Sequence, residues 1–445
     1  MIVVLGGGPA GRIASIRLAS AGKEVRLIEH GGIGGQCLNF GCMPVCALND
    51  VARTIHSGTI LHNLGLFDSP LHPVNFPKLL TEMRSIQAKI ASVLDTETKS
   101  AGVDITYGKT GRLEGKTVFV NEERLDPEAV IAATGSLPLI PDIRGINLPG
   151  VYTPHSLFQI KSMPKRLIII GGGVMAAEFA YIFSTLGSEV TLLARSTFLK
   201  NIDKHLRAVA MKDLASVAIL ENTQVRSIEG DEGGKLLRIT TDGKNSQYDA
   251  DSVLVSTGLM PNSAMLNGLK KGSLGEIIVD NQMRTSVAGV YACGDVVGPP
   301  YLTPVARHQG IVAADNILGI PRKMDCRFIP QSINLSQELA FCITERENAA
   351  SLAIPGPAGP GTFWSVPSNN TGLAKIFVEP ENGAIKGICI AGPGGGLITG
   401  YMAFLMRHHF SVHDFEEYIE IHPSTDGASS LAKYTSERLK KRNSL

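Results

Sequence analysis

The sequence predicts an α/β protein: two Rossmann-like units of doubly wound type, followed by an α+β block. Three observations carry that reading. A strand–glycine turn–helix–strand pattern occurs twice. From about Arg327 the pattern changes to short alternating strands. At 445 residues the chain is too long for one hydrophobic core, which favours about three domains.

The first unit opens with the apolar strand Ile2 to Leu5. It turns through Gly6-Gly7-Gly8-Pro9-Ala10-Gly11 into a helix to Ser20, then forms a strand from Glu24 to Ile28, ending at Glu29. In such a turn Gly6 permits the bend, Gly8 the approach of a pyrophosphate, and Gly11 the packing of helix on strand. The helix N-terminus then faces the phosphates. Glu29, 18 residues after Gly11, stands where a carboxylate accepts from a ribose 2′-OH; a carboxylate that merely caps a surface strand is the alternative.

The second unit repeats the order. Strand Arg166 to Ile170 leads through Gly171-Gly172-Gly173-Val174-Met175-Ala176 into a helix through Leu186, then a strand from Glu189 to Leu193. Ala176 takes the place of the third glycine, and the second strand runs into Ala194-Arg195 with no carboxylate. An arginine forks onto a 2′-phosphate that a carboxylate would repel. Arg195, helped by Lys200, therefore favours NADPH over NADH, with two solvated surface cations as the alternative. One fingerprint is weak; two, some 165 residues apart, point to two dinucleotide sites.

Between the units, Leu79, Leu80, Met83, Ile86, Ile90 and Leu94 fall at helical spacing and predict a long amphipathic helix from Phe76 to Ser100. In the final block of roughly 120 residues, strands are expected at Leu373 to Glu379 and Ala384 to Ile390, with a helix near Leu397 to His408. The run Pro355 to Gly361 is a loop.

Composition narrows the function. Apolar content of 44%, charged content of 19% and a formal net charge of +1 describe an ordinary globular protein with no basic field for nucleic acid or anionic membrane. Met1 runs directly into a strand and no apolar run reaches membrane-spanning length, so neither leader nor anchor is expected. Seven cysteines, an odd number in a long chain, do not make a secreted disulfide framework, and a cytoplasmic setting is expected.

Two of those cysteines, Cys37 and Cys42, lie five apart, just after Gly31-Gly32-Ile33-Gly34-Gly35. On the first turn of a helix, thiols at that spacing can close into a strained disulfide and reopen as a dithiol, and the helix N-terminus favours a thiolate. The glycines, Gly35 among them, let a flat cofactor lie against the backbone. The pair reads as a redox centre; two buried, unlinked cysteines are the alternative.

The run Gly34-Gly35-Gln36-Cys37-Leu38-Asn39-Phe40-Gly41-Cys42-Met43-Pro44 resembles the redox-active segment of the pyridine nucleotide–disulfide oxidoreductases, a family that includes dihydrolipoyl dehydrogenase, glutathione reductase and mercuric reductase. The resemblance extends over nearly the whole chain. Ala133-Thr134-Gly135 and Ser256-Thr257-Gly258 are similar to its two connecting turns. Val290 to Asp295 resembles the segment whose aspartate holds the flavin ribityl chain, and Leu302 to Ala306 the stretch beside the flavin ring. Ile343-Thr344-Glu345 and His422-Pro423 resemble marks of the C-terminal dimer domain.

The resemblance implies an FAD-binding domain of residues 1–147 and 267–325, an NAD(P)-binding domain of 148–266 and a dimerisation domain of 326–445. It implies FAD on the first unit and the nicotinamide cofactor on the second. It also implies a homodimer in which His422 enters the active site of the partner subunit as general acid and base. Two electrons would enter the disulfide through Cys42, the thiol nearest the ring, and Cys37 would exchange with a small disulfide or dithiol. No metal is implied.

The chain departs from the family pattern in places. A lysine is usual just after the proline of the cysteine motif, where Pro44-Val45-Cys46 has none; its glutamate partner is present as Glu178. That leaves Glu178 protonated, repacked or exposed. Cys46 reads as a small buried apolar residue, with a third exchanging thiol as the alternative. The glutamate that orients the histidine is replaced by Gly427, and Asp426 stands one position earlier. Leu259-Met260 replaces a usual arginine, and Glu420 a frequent histidine.

With Cys389 the last cysteine, the C-terminal thiols of mercuric and large thioredoxin reductases are missing. The chain therefore resembles a dihydrolipoyl dehydrogenase or a glutathione reductase-like enzyme. Two further readings stay open: a non-catalytic flavin-binding regulatory subunit, and a flavin oxidase or quinone reductase that bypasses the thiols.

Overall fold

The computed structural model describes residues 1–443 apart from 72, 73 and 232. Ile2–Leu5 is the central strand of a five-stranded parallel sheet, flanked by Val25–Glu29 and Ala129–Ala132, with Val103–Tyr107 and Val290–Ala292 at the edges. All four residues of Ile2–Leu5 are buried, as expected of a strand covered on both faces. The second strand starts one residue later than expected because its parallel register with Ile2 begins at Val25, while the Glu24 carbonyl accepts from the Ile2 N–H.

Helix α1 (Pro9–Ser20) returns from the first strand, and the short α2 (Gly35–Asn39) and long α3 (Cys42–Asn63) follow. Helix α4 (Phe76–Ser100) has the predicted bounds, with Asn75 capping it through the Lys78 N–H. Its apolar stripe is only partly used: Leu80 and Met83 are buried, but Ile86 is 56% exposed. The inner face passes instead to Gln87, one turn beyond Met83, which donates to the Leu38 carbonyl of α2.

Arg166–Ile170 centres a second parallel five-stranded sheet, between Glu189–Leu193 and Ser252–Val255. Helix α5 (Val174–Thr185) is buried from Ala176 through Phe183, mostly apolar apart from the carboxyl of Glu178. It packs between its own sheet, α3 and the strand Gln331–Asn334. Helix α6 (Lys204–Asp213) follows, capped by Asp203. The segments Ser136–Pro138 and Leu259–Pro261, which leave the two connecting turns, pair antiparallel.

Helix α7 (Thr303–Ile317) lies across α1. The crossing requires glycine, since a Cβ on Gly310 would stand 2.3 Å from the Ala10 carbonyl oxygen. The C-terminal part is an antiparallel five-stranded sheet ordered Gln331–Asn334, Glu338–Ile343, Ile385–Ala391, Leu373–Val378, Ala350–Pro355, covered by α8 (Gly395–Arg407) and α9 (Gly427–Asn443).

A buried ion pair joins this sheet to the second unit. Lys375 Nζ donates to Asp203 Oδ2 at 2.7 Å, and its ammonium sits 4.6 Å from the Phe377 ring centroid. Removing one partner strands the other charge in the interior. Asp203→Ala is expected to lower unfolding free energy by about 3–5 kcal/mol, and the double variant Asp203→Ala/Lys375→Met to recover most of it. Urea unfolding of both variants checks this; equal losses would exclude the ion pair as the cause.

Candidate active site

A single continuous cleft of about 1830 Å³ runs from the first glycine turn past Cys37 and Cys42 to the second glycine turn. An ordinary one-ligand pocket measures about 300–1,000 Å³, so this cleft has room for two extended ligands that meet. Gly6, Gly8, Glu29, Gly35, Thr134, Gly135, Asp295 and Ala306 line one arm; Gly171, Gly173, Glu178, Arg195, Lys200 and Gly258 line the other. Gly11 and Ala176 lie beneath the two turns, as packing positions should.

The two turns suit dinucleotides on their own geometry. A Cβ on Gly6 would stand 2.3 Å from the Ala133 carbonyl oxygen, and one on Gly171 would stand 2.1 Å from that of Ser256. Both residues have positive φ, at +105° and +148°. Nothing lies within 4 Å of a Cβ on Gly173, so that face of the backbone is open. Helices α1 and α5 start there with no side-chain cap and no acidic residue in the first turn. Such N-termini are anion sites waiting for phosphates. Glu29 is buried and accepts from the N–H groups of Gly7 and Gly31, both at 2.6 Å. Two donors leave its carboxylate with acceptor capacity for a ribose hydroxyl.

Asp295 is held by Ser136, whose hydroxyl donates to Oδ2 at 2.7 Å. Burial raises its pKa, with the Ser136 bond opposing. On the other arm, Arg195 and Lys200 are exposed and make no side-chain hydrogen bond or ion pair among the described residues.

The thiol pair differs from expectation in one respect. Cys37 lies in α2 and Cys42 begins α3, so the pair straddles a break instead of sharing one first turn. The break forms at Phe40 and Gly41, whose N–H groups both donate to the Gln36 carbonyl, at 2.9 and 2.8 Å. Cys42 Sγ lies 3.6 Å from Thr303 Oγ1 at the start of α7. Both cysteines are free thiols. A hydrogen bond from Cys42 holds the Cys37 pKa down to about 6 against burial, with help from Thr303 and the Arg307 cation. The same bond, with burial, pushes Cys42 well up. Near neutrality the reduced pair carries its charge on Cys37 and its proton on Cys42.

Cys46 is not the buried apolar filler expected. It is exposed on the cleft wall, one turn beyond Cys42, where partial enclosure and then the Cys42 charge push its thiol up. Glu178 is buried and repacked, not exposed. Its Oε1 accepts from the Asn334 backbone N–H at 2.8 Å and from Asn334 Nδ2 at 3.3 Å. Burial raises its pKa to about 7, with the Asn334 bonds opposing.

His422 is exposed and does not line the cleft of its own chain. Asp426 caps α9: its Oδ1 accepts from the Ala428 N–H at 2.8 Å, and its Oδ2 from the Ser429 hydroxyl at 2.7 Å. Glu420 pairs with Lys433 at 2.5 Å.

Four residues beside these groups escaped the sequence reading. Ser136 followed directly on a recognised turn and was within reach of inspection. Thr303 was seen only as part of a stretch, and Arg307 not at all. Asn334 lies 156 residues from Glu178, and no local pattern marks it.

Two dinucleotide cradles that meet at a thiol pair define a flavin- and nicotinamide-dependent redox protein. The sequence profile described as pyridine nucleotide-disulphide oxidoreductase matches residues 1–310, and the chain belongs to that family. A dihydrolipoyl dehydrogenase of Vibrio parahaemolyticus is 30% identical over 458 residues, covering 97% of this chain and 94% of that protein. A mercuric reductase of Staphylococcus aureus is 28% identical over 437 residues, covering 94% and 78%. The crystal structure of LpdA from Mycobacterium tuberculosis superposes with a TM-score of 0.86 at 23% identity, covering 98% of this chain and 99% of that one. The protein is thus an FAD-dependent oxidoreductase of dihydrolipoyl dehydrogenase-like type, acting on sulfur with a pyridine nucleotide. Among the described residues, no helix is long and apolar enough to cross a membrane and no group of three or more His, Cys, Asp or Glu could hold a metal.

In the reduced protein, iodoacetamide should modify Cys37 before Cys42, Cys46 and the buried Cys293, Cys342 and Cys389. Its rate should be low below about pH 6, where the thiol is protonated, and level off above it as the thiolate fills. Peptide mapping across that range checks the order; Cys42 reacting first would overturn it.

Proposed function

We propose that the protein reduces a low-molecular-weight disulfide with NADPH, through Cys37 and Cys42 and a histidine lent by a second copy. The observation that carries this is the place of the two free thiols: Cys37 and Cys42 both line the one cleft that runs from the first glycine turn to the second. A bound flavin supplies the two-electron exchange between nicotinamide and sulfur. The Cys37 thiolate attacks one substrate sulfur, forming a mixed disulfide and expelling the other half as a thiolate, which takes a proton. Cys42, once deprotonated, attacks Cys37 Sγ, closing the Cys37–Cys42 disulfide and releasing the second thiol. Oxidation of a small dithiol is the reverse sequence.

The proton donor in this scheme is His422 of a second copy. Its exposure outside its own cleft supports that, as does the apolar surface nearby, where Leu397, Phe404, Ile419 and Ile421 are 83%, 62%, 89% and 80% exposed. Asp426 is committed to α9, so we assign it no part in holding the ring. The domain limits read from the sequence (residues 1–147 with 267–325, then 148–266, then 326–445) are proposed with this division of labour, as is the cytoplasmic setting.

Two cations without partners, Arg195 and Lys200, support NADPH over NADH and thereby reduction over oxidation. Loss of one charge-assisted bond is worth about ten- to hundredfold. Arg195→Gln should lower kcat/KM for NADPH by that factor and leave NADH nearly unchanged. Equal loss for both cofactors would remove the assignment.

Cys37→Ser and Cys42→Ser should each abolish disulfide reduction while FAD stays bound, whereas Cys46→Ser should retain it. Mixing Cys37→Ser with His422→Ala subunits should restore about a quarter of the wild-type activity when subunits pair at random, because about half the dimers are then mixed and each holds one intact site. No recovery in the mixed dimer would refute the shared site.

A further inference from the structure

Glu178 stands on the wall of the second arm with one oxygen unused. It lies five residues past Gly173, the N-cap of α5, and is the one carboxyl that α5 contributes. It lines the cleft together with Met175 of its own helix and with Cys42 and Cys46 of α3. The residue is only 9% exposed. Its Oε1 takes both bonds from Asn334, and Oε2 has no partner among the described residues. Nor is that second oxygen sealed in protein, so it meets the open cleft.

A carboxyl buried to this degree ordinarily has a cation against it. The run Pro44-Val45-Cys46 supplies none. Arg53 of α3 favours the charged form, yet it donates Nε to the Leu335 carbonyl at 2.6 Å and forms no ion pair with Glu178. The thiols of Cys42 and Cys46, on the same helix, act against a second negative charge. Asn334, on the strand packed against α5, is neutral. Burial prevails over the Asn334 bonds, and the carboxyl changes charge near pH 7.

The order of groups along the arm says what Oε2 meets. Arg195 and Lys200 suit a 2′-phosphate, and the turn at Gly171 to Gly173 suits a pyrophosphate. A dinucleotide laid across them carries its nicotinamide past the start of α5, towards the thiols. That ring is a cation when oxidised and neutral when reduced. A carboxylate without a counter-ion, in a wall that excludes water, separates the two states by charge.

We propose that Glu178 reads the charge of the nicotinamide ring: ionised, it pairs with the oxidised cofactor, and protonated, it accommodates the reduced one. Binding of NADP⁺ then expels the carboxyl proton to solvent, and binding of the reduced form does not. The oxidised product is held more tightly as pH rises. This rests on the second arm being the NADP(H) site, as proposed above, and adds a residue that discriminates between the two forms of the cofactor.

Calorimetry on the oxidised, FAD-loaded protein tests it with two ligands: NADP⁺ and 1,4,5,6-tetrahydro-NADP, whose ring is neutral and donates no hydride. Both carry the same 2′-phosphate, so its titration cancels in the ratio of their Kd values. Between about pH 6 and pH 8 that ratio should move about tenfold in favour of NADP⁺. At about pH 6.5, NADP⁺ should release part of a proton, seen as a heat that depends on the ionisation enthalpy of the buffer, while the analogue releases none. Glu178→Gln should flatten the ratio and end the release, whereas Cys46→Ser should keep both. A flat ratio in the wild-type protein, a release that survives in Glu178→Gln, or one that vanishes in Cys46→Ser would overturn the inference. The wild-type measurement decides even if Glu178→Gln does not fold. Failure of both ligands to bind would instead strike the reading of the second arm, and this inference with it.

Discussion

Four helices begin on the walls of one cleft, and none is closed by a side chain. The N-cap residues of α1, α3, α5 and α7 are Gly8, Gly41, Gly173 and Leu302; all four line the cleft and none makes a side-chain cap bond. Helix starts left this way concentrate positive potential and unpaired N–H groups on one space. Such a space favours phosphates at two of the starts and a thiolate near the others. Tight turns at Gly6 and Gly171 aim two of these helices, because a Cβ at either would run into a carbonyl oxygen.

The thiol pair shows how this field is divided. A break at Phe40 and Gly41 sets Cys37 and Cys42 on separate helices, and the Cys37 thiol is held down while that of Cys42 is pushed up. One hydrogen bond lowers one thiol and raises the other. Thr303 supports the pair from α7, which is itself seated on α1 through the bare face of Gly310. Redox chemistry at Cys42 is thereby tied to the helix that begins at the first phosphate cradle.

Buried polar links hold the C-terminal sheet against these units. Glu178 on α5 reaches Asn334, and Asp203 at the start of α6 reaches Lys375. Each is costly to break, since a buried charge or carboxyl loses its compensation. The run Pro44-Val45-Cys46 offers Glu178 no cation, and Glu178 finds its partner on another sheet. The missing cation is thus answered by a backbone N–H, a carboxyl whose pKa rises to about 7 and an extra thiol on the cleft wall.

The two glycine turns, their strands and the cysteine run were legible in the chain itself because each is local: spacing alone fixes a bend, a helix start or a pair of thiols five apart. The bounds of α4 followed from its periodicity. What no local pattern contains is which side chain meets which across 100 residues or more. Tertiary packing alone turned Glu178 to Asn334, gave Asp426 to α9, drew Ile86 out of the core, opened Cys46 to the cleft and brought Thr303 beside Cys42. Those outcomes depend on where separate elements come to rest against one another, and they decide charge, exposure and hydrogen bonding at each group.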